Sequence, residues 1–407
     1  MKILVLNCGS SSVKYELFQT DPERSLANGL AERVGVTSAE PPVLHHRVPG
    51  QPELTLEAPM PDHHTAIGRI VEALTDQNGG TLTSLDEIAA VGHRVVHGGE
   101  KFADSTLIST EVLDIIEQCC QLAPLHNPPN LVGIRACMEL MPDTPQVAVF
   151  DTAFHQTIPR YAYLYGLPYQ HYQQHGIRRY GFHGTSHRYV TLEATKLLEQ
   201  NGIPTQQQRL VTCHLGNGCS MTAVLGGKSV DTSMGFTPLE GLLMGTRCGD
   251  IDAAAVLYLM ERENLAPPDA DQLLNKRSGL LGLSGVGSDL RDVLSAEAAG
   301  NQRAAAAVEL FCYRLRKYIG AYAAALGGLD GLVFTAGIGE NSAEIRRRTC
   351  QGLEFLGIEL DPERNQAAVH PEAAIPIQRQ GARVAILVIP TDEELMIARD
   401  TAALVGG

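Results

Sequence analysis

Asn7-Cys8-Gly9-Ser10-Ser11-Ser12, with Lys14 just beyond, gathers an amide, three hydroxyls and an ammonium around one glycine turn. The turn separates an apolar run, Ile3 to Leu6, from a second β-prone run, Val13 to Phe18. Strand, turn, strand is a hairpin signature, yet this turn is longer and more polar than a connection requires. Backbone N–H groups at a strand end beside one cation suit a phosphate chain. An ordinary hairpin loop would carry the same residues, so the turn alone decides nothing.

A second stretch echoes it. Arg209 to Val224 reads RLVTCHLGNGCSMTAV, and laying Gly9 on Gly216 gives an offset of 207 in a chain of 407, about half its length. A third turn, AGIGENS (336–342), follows the strand-like Asp330 to Thr335 and opens a helix, a ready place for an anion. Glycine turns at strand exits in both halves suggest a nucleotide caught between two related halves. One carboxylate joins them. Thr391-Asp392-Glu393-Glu394 reads as a capping box in which Thr391 and Glu394 serve each other's backbone donors, leaving Glu393 for a metal or for solvent.

Other chemistries fall away. Gly227-Lys228-Ser229 ends like a phosphate loop, but Thr222 stands where the first glycine is required. His171/His175 and His183/His187 have the spacing of a zinc pair without the adjacent Glu. The formal charge of −14 argues against nucleic-acid or anionic-membrane partners, and obliges an anionic substrate to meet local Arg, Lys or metal.

The elements that must position these residues follow from length and pattern. A chain of this length exceeds one hydrophobic core, so two domains are expected. Asp21 to Glu57 reads as short antiparallel strands. Ile88 to Val96 and Gln146 to Phe150 read as strands ending at HRVVHGG and at Asp151. PLHNPPN (124–130) reads as a helix break with a further helix starting near Pro129, and Gln302 to Leu326 as a buried central helix. A composition change after Thr152 marks a domain crossing; with the C-terminal helix expected to close the first domain, the domains are expected at 1–152 plus 385–407 and at 153–384. Nine scattered cysteines without a CxxC pair, and no apolar run near 18 residues, read as a soluble cytoplasmic protein without a signal peptide.

Taken together, the first turn, YGFHGTSH (180–187), HLGNG (214–218), DTSMGFTPLEGLLMGTRCGD (231–250), AGIGEN and PTDEEL (390–395) resemble the motif set of the acetate kinase (acetokinase) family from Lys2 to Ala402. Cys248 stands where that pattern suggests Ser. The resemblance implies an α/β protein of the acetate and sugar kinase/heat-shock chaperone/actin superfamily. Its two domains would share a duplicated actin-like (ribonuclease H-like) fold, with mixed sheets flanked by helices around a nucleotide cleft. It implies a homodimer that moves phosphate reversibly between ATP and acetate, through acetyl phosphate and ADP, with Mg2+ and with Mn2+ able to substitute.

Carried onto this chain, the resemblance places Asn7 and Glu393 at the metal, Lys14 near the phosphates and Arg94 at the substrate carboxylate. Asp151, His183 and Arg247 become the catalytic residues. Val96, Leu125, Phe182 and Pro238 line the methyl pocket. His214, Leu215, Gly216, Asn217 and Gly218, then Asp289, Leu290 and Arg291, then Ala336, Gly337, Ile338, Gly339 and Glu340 contact the nucleotide. Acetate is ionised at neutral pH and needs no general base, so Asp151 is better suited to orienting the metal or its water than to taking a proton. A propionate or butyrate kinase of the same fold is the nearest alternative, but Val96 favours a small acid because propionate-preferring relatives typically carry alanine there. A nucleotide-switched ATPase module is the alternative of another class, and would hydrolyse ATP without acetate.

Overall fold

Both hairpins suggested by the glycine turns form, and each sits at the centre of its own sheet. The computed structural model describes residues 1–37, 40–76, 79–124 and 126–406, in two units: 1–153 with 392–407, and 154–391.

In the first unit, Lys2–Cys8 (β1), Ser12–Thr20 (β2), Glu23–Glu32 (β3), Val43–Arg47 (β4), Leu54–Glu57 (β5), Ile88–Val95 (β6), Thr106–Leu107 (β7) and Gln146–Phe150 (β8) form one mixed sheet. Its order is β5-β4-β3-β2-β1-β6-β8-β7. In the second, Arg209–Leu215 (β9), Cys219–Leu225 (β10), Lys228–Thr232 (β11), Gly331–Thr335 (β12), Ile375–Pro376 (β13) and Ala385–Val388 (β14) are ordered β11-β10-β9-β12-β14-β13. The five central strands match. Each unit has an antiparallel three-strand meander whose first strand pairs in parallel with a later strand, and that strand in parallel with the next. β1 and β9 begin 207 residues apart, and so do β2 and β10.

Helices cover the sheets because strand side chains alternate faces. On β1, Ile3 and Val5 pack with Ile397 and Ala398 of the helix Glu393–Val405. Leu4, Leu6 and Cys8 join Ile67 and Ile70 of the helix His63–Thr75 and Cys137 of the helix Asn127–Leu140. Gly92 of β6 admits the last helix closely: a Cβ there would meet Thr401 Oγ1 at 2.4 Å and Ile397 Cγ2 at 2.7 Å. In the second unit, Val190, Ala194 and Leu198 of the helix Gly184–Gln200 pack on Leu210, Val333 and Leu387.

Three sequence expectations change. Ala385–Val388 pairs with β12, so the chain leaves the second unit after Thr391 rather than before 385, and the first crossing falls after Ala153. The last helix is capped by Asp392, whose side chain accepts the Leu395 N–H at 2.8 Å, in place of a Thr391/Glu394 box. Gln302–Ala325 buries only one stripe (Ala304, Ala307, Val308, Phe311, Cys312, Leu315, Ile319, Tyr322, Ala323), because its alanines are spread around the helix rather than gathered on a core.

Two buried histidines make stability depend on pH. His93 bonds Gln146 Oε1 (2.7 Å), and His155 bonds Ser229 Oγ (2.9 Å) and the Phe182 carbonyl (3.1 Å). Burial lowers each from 6.5 to about 4. Between those values the unfolded chain binds more protons, so the contribution is whole above about 6.5 and lost as pH falls towards 4. Going from pH 7 to pH 5, the unfolding free energy of His93→Gln is expected to drop by about 2 kcal/mol less than that of the parent. Equal losses in urea titrations would show that His93 is not held neutral.

Candidate functional site

In the first unit the strand ends gather four of the expected residues. Arg94, near the end of β6, grips Asp151, just past β8, through Nε–Oδ1 (3.0 Å) and Nη2–Oδ2 (2.7 Å). Its remaining nitrogen, Nη1, lies 3.4 Å from Asn7 Oδ1 at the end of β1. Glu393, in the first turn of the last helix, stands 3.8 Å from Arg94 Nε. Burial works against the charge of Arg94, but Asp151 and Glu393 hold it firmly protonated. Both Asp151 oxygens are engaged by that fork.

Asn7 and Glu393 offer only oxygen donors, the set a hard divalent cation takes. Burial pushes the Glu393 carboxyl up to about 7. Arg94 opposes the shift, while Asp151 and Glu394 add to it. A buried carboxylate so poorly compensated fits a divalent ion. Lys14, expected at the phosphates, points its ammonium at Glu394 (2.7 Å), the residue released from the capping box. The Gly9 N–H closes the turn on the Ser12 carbonyl (2.8 Å), and among the described residues the Ser10 and Ser11 amides meet no acceptor. Val96 is buried, and its N–H is held by Asn130 Oδ1 (3.1 Å). Leu125 lies outside the described residues.

In the second unit a histidine and serine network surrounds the HLGNG turn. His183 caps the helix Gly184–Gln200 in the left-handed region (φ 56°), stacks on His214 at 4.1 Å and bonds Ser220 Oγ (2.9 Å). Ser220 also meets His187 Nε2 (2.7 Å), and His214 Nδ1 meets Ser186 Oγ (2.7 Å). Burial, with His155 and His214 nearby, pushes His187 well below its usual value. It is a satisfied core histidine, bonded at Nδ1 to Thr212 and at Nε2 to Ser220.

Gly218 brings two catalytic candidates together. A Cβ placed on it would lie 3.5 Å from His183 Nε2 and 3.6 Å from Arg247 Nη1. Arg247 donates to the Pro238 carbonyl at 3.3 Å, and among the described residues it has no carboxylate partner. Burial lowers its pKa. A desolvated guanidinium without a counter-ion suits an anion supplied from outside. Its loop is irregular but firmly held: Met244 N–H to Arg247 O, Gly245 N–H to Asn217 O, and Gly241 N–H to Asp250 Oδ1. Phe182 is buried here, and its carbonyl anchors His155.

Three segments distant in sequence wall a cavity of about 790 Å3: Gly216 and Asn217, Asp289 to Arg291, and Gly337 with Ile338. Ser288, Leu294, Asn341, Ser342 and His370 complete it. Asp289 caps the helix Leu290–Ala298 and pairs with the exposed Arg291 (2.6 Å). Leu215 is core, and Gly339 packs against Phe334. Glu340 is spent on backbone, accepting the N–H groups of Ala336 (2.7 Å) and Thr391 (3.1 Å). The first N–H of the helix Ala336–Asn341 therefore already has an anion.

Sequence reasoning missed Asn130, Ser220 and His370. HNPPN was visible and read as a break followed by a helix from near Pro129, with no role given to its asparagines. Ser220 and His370 had no local signal, since their partners lie far along the chain.

Two α/β units with matching central strands, a cavity walled by two glycine turns, and a guanidinium without a carboxylate partner among the described residues are the features of a nucleotide-dependent phosphotransferase. Residues 2–399 match the model of the Acetokinase family. The chain is 54% identical over 405 residues to the acetate kinase of Alkaliphilus metalliredigens, covering 100% of each. It superposes on the crystal structure of Porphyromonas gingivalis acetate kinase with a TM-score of 0.93 at 47% identity, covering 99% of each chain. A propionate kinase from Francisella tularensis gives 0.90 at 42% identity, again covering 99% of each. The chain belongs to the acetokinase family.

Arg247→Ala is expected to lower kcat by about 10²–10³ while its melting temperature stays level or rises, since a poorly solvated charge is removed. Steady-state rates and a thermal melt on one preparation decide it. Near-parental turnover would take Arg247 out of the site.

Proposed function

We propose that the chain transfers the γ-phosphoryl group of ATP directly and reversibly to acetate, with Asn7 and Glu393 holding magnesium. The observation that carries this reading is Arg247, desolvated, without a carboxylate partner among the described residues and close to His183 at the Gly218 turn. A carboxylate oxygen of acetate attacks the γ-phosphorus as its bond to the β–γ bridging oxygen breaks. No proton need leave acetate, so the work lies in alignment and in offsetting charge.

The roles divide by unit. Arg94, oriented by Asp151, offers Nη1 to the acetate carboxylate; Val96 and Leu125 in the first unit, and Phe182 and Pro238 in the second, are the residues assigned to the acetate methyl. Arg247 and His183 meet the equatorial oxygens of the transferring group, with the Ser220 bond fixing the His183 ring. The 790 Å3 cavity takes the nucleoside end of ATP. Magnesium, when bound, offsets phosphate charge. Lys14 is held by Glu394 and keeps further N–H donors for a phosphate oxygen.

Propionate is the second reading, favoured by the similarity to a propionate kinase. One methylene is worth only about 1–3 kcal/mol, so some propionate turnover is expected. With hydroxylamine present, ATP consumption should depend on acetate and yield acetohydroxamate, with butyrate the poorest acid. ATP hydrolysis indifferent to acetate, or a preference for butyrate, contradicts the assignment. Val96→Ala should move kcat/KM towards propionate by about tenfold.

A homodimer completes the proposal. The helix Ala253–Glu263 carries AAAVLYLM yet buries no residue, and Leu257 is 67% exposed. A face so apolar suits a second copy. Leu257→Glu is expected to sediment as a monomer, and an unchanged dimer would place the interface elsewhere. Among the described residues no helix is long and apolar enough to cross a membrane. We place the protein in the cytoplasm.

A further inference from the structure

We infer that Asn130 is a positioning residue, joining the turn that holds the metal to the strand end that meets acetate. It rests on the roles proposed above for Asn7, Arg94 and Val96. β1 and β6 are parallel neighbours, but their pairing ends at Leu6 and His93, one residue short of Asn7 and Arg94. Beyond that point the Asn130 side chain takes over. Its Nδ2 donates to the Cys8 carbonyl (2.8 Å) and its Oδ1 accepts the Val96 N–H (3.1 Å). One amide therefore supplies a donor to one strand end and an acceptor to the other, as a residue of an intervening strand would.

The residue type is dictated by that geometry. Asn130 is 3% exposed, so each polar atom needs a protein partner, and only an amide presents both kinds at this reach. Asn127 sits one turn earlier on the same helix face and is equally buried. It bonds the His97 N–H (3.0 Å), the His97 carbonyl (2.9 Å) and the Ile116 carbonyl (3.3 Å), and makes no bond to β1. HNPPN thus starts a helix whose prolines, at positions needing no N–H, leave two amides aimed at the strand ends. Asn127 is the natural control.

In Asn130→Ala the magnesium activation constant and the acetate KM should both rise about fivefold, the equivalent of one buried hydrogen bond, with the ATP KM within about twofold of the parent. Asn130→Ser, which can keep one bond, should fall between, and serves if the alanine variant does not accumulate. Asn127→Ala should lower the melting temperature comparably and leave the magnesium constant within about twofold. Loss of melting temperature without change in either constant, or equal shifts in Asn127→Ala, overturns the inference. An Asn7→Ala protein with an unchanged magnesium constant would instead defeat the metal assignment on which it rests.

Discussion

Positive charge held where water is scarce is the constraint on which this molecule turns. An acid anion must approach a polyanionic phosphate in a chain whose net charge is −14. The two units meet the demand differently. Arg94 is neutralised in advance by Asp151, which fixes its direction at the expense of its field. Arg247 has no such partner among the described residues, and burial already disfavours its charge. A guanidinium in that state gains most from an anion whose charge grows during reaction.

Strain gathers at the same places. His183 and Ala336 are two of the non-glycine residues in the left-handed region, and they flank the second unit's phosphate-type turns. Such conformations persist only where neighbours over-determine them. Here the neighbours are visible: Ser220 and His214 around His183, and Glu340 beneath Ala336.

Much of this was legible in the residues. The 207-residue echo predicted both central hairpins because period and turn chemistry are local, and a strand followed by a glycine turn looks the same in either half. Arg94, Asp151 and Glu393 were legible as strand-end and helix-start residues. Their convergence was not, since it depends on parallel pairing between segments that share no local pattern. Glu393 and Glu394 differ by one position, and the rotation of a single helix residue decides which one meets Arg94 and which one Lys14. The Thr391/Glu394 motif misled because Asp392 caps equally well. The prolines marked a helix starting near Pro129, but what the Asn130 side chain meets depends on strands far along the chain.

The central claim is that the bare charge on Arg247 serves the transferring phosphoryl group rather than the bound nucleotide. The most direct measurement is calorimetric affinity of the parent and of Arg247→Lys and Arg247→Ala for MgADP alone and for MgADP with aluminium fluoride and acetate. The account predicts ADP affinities within about twofold, and a loss of about 10²–10³ for the transition-state mimic in the alanine variant, partly recovered by lysine. Equal losses for ADP and the mimic, or none for either, would contradict it.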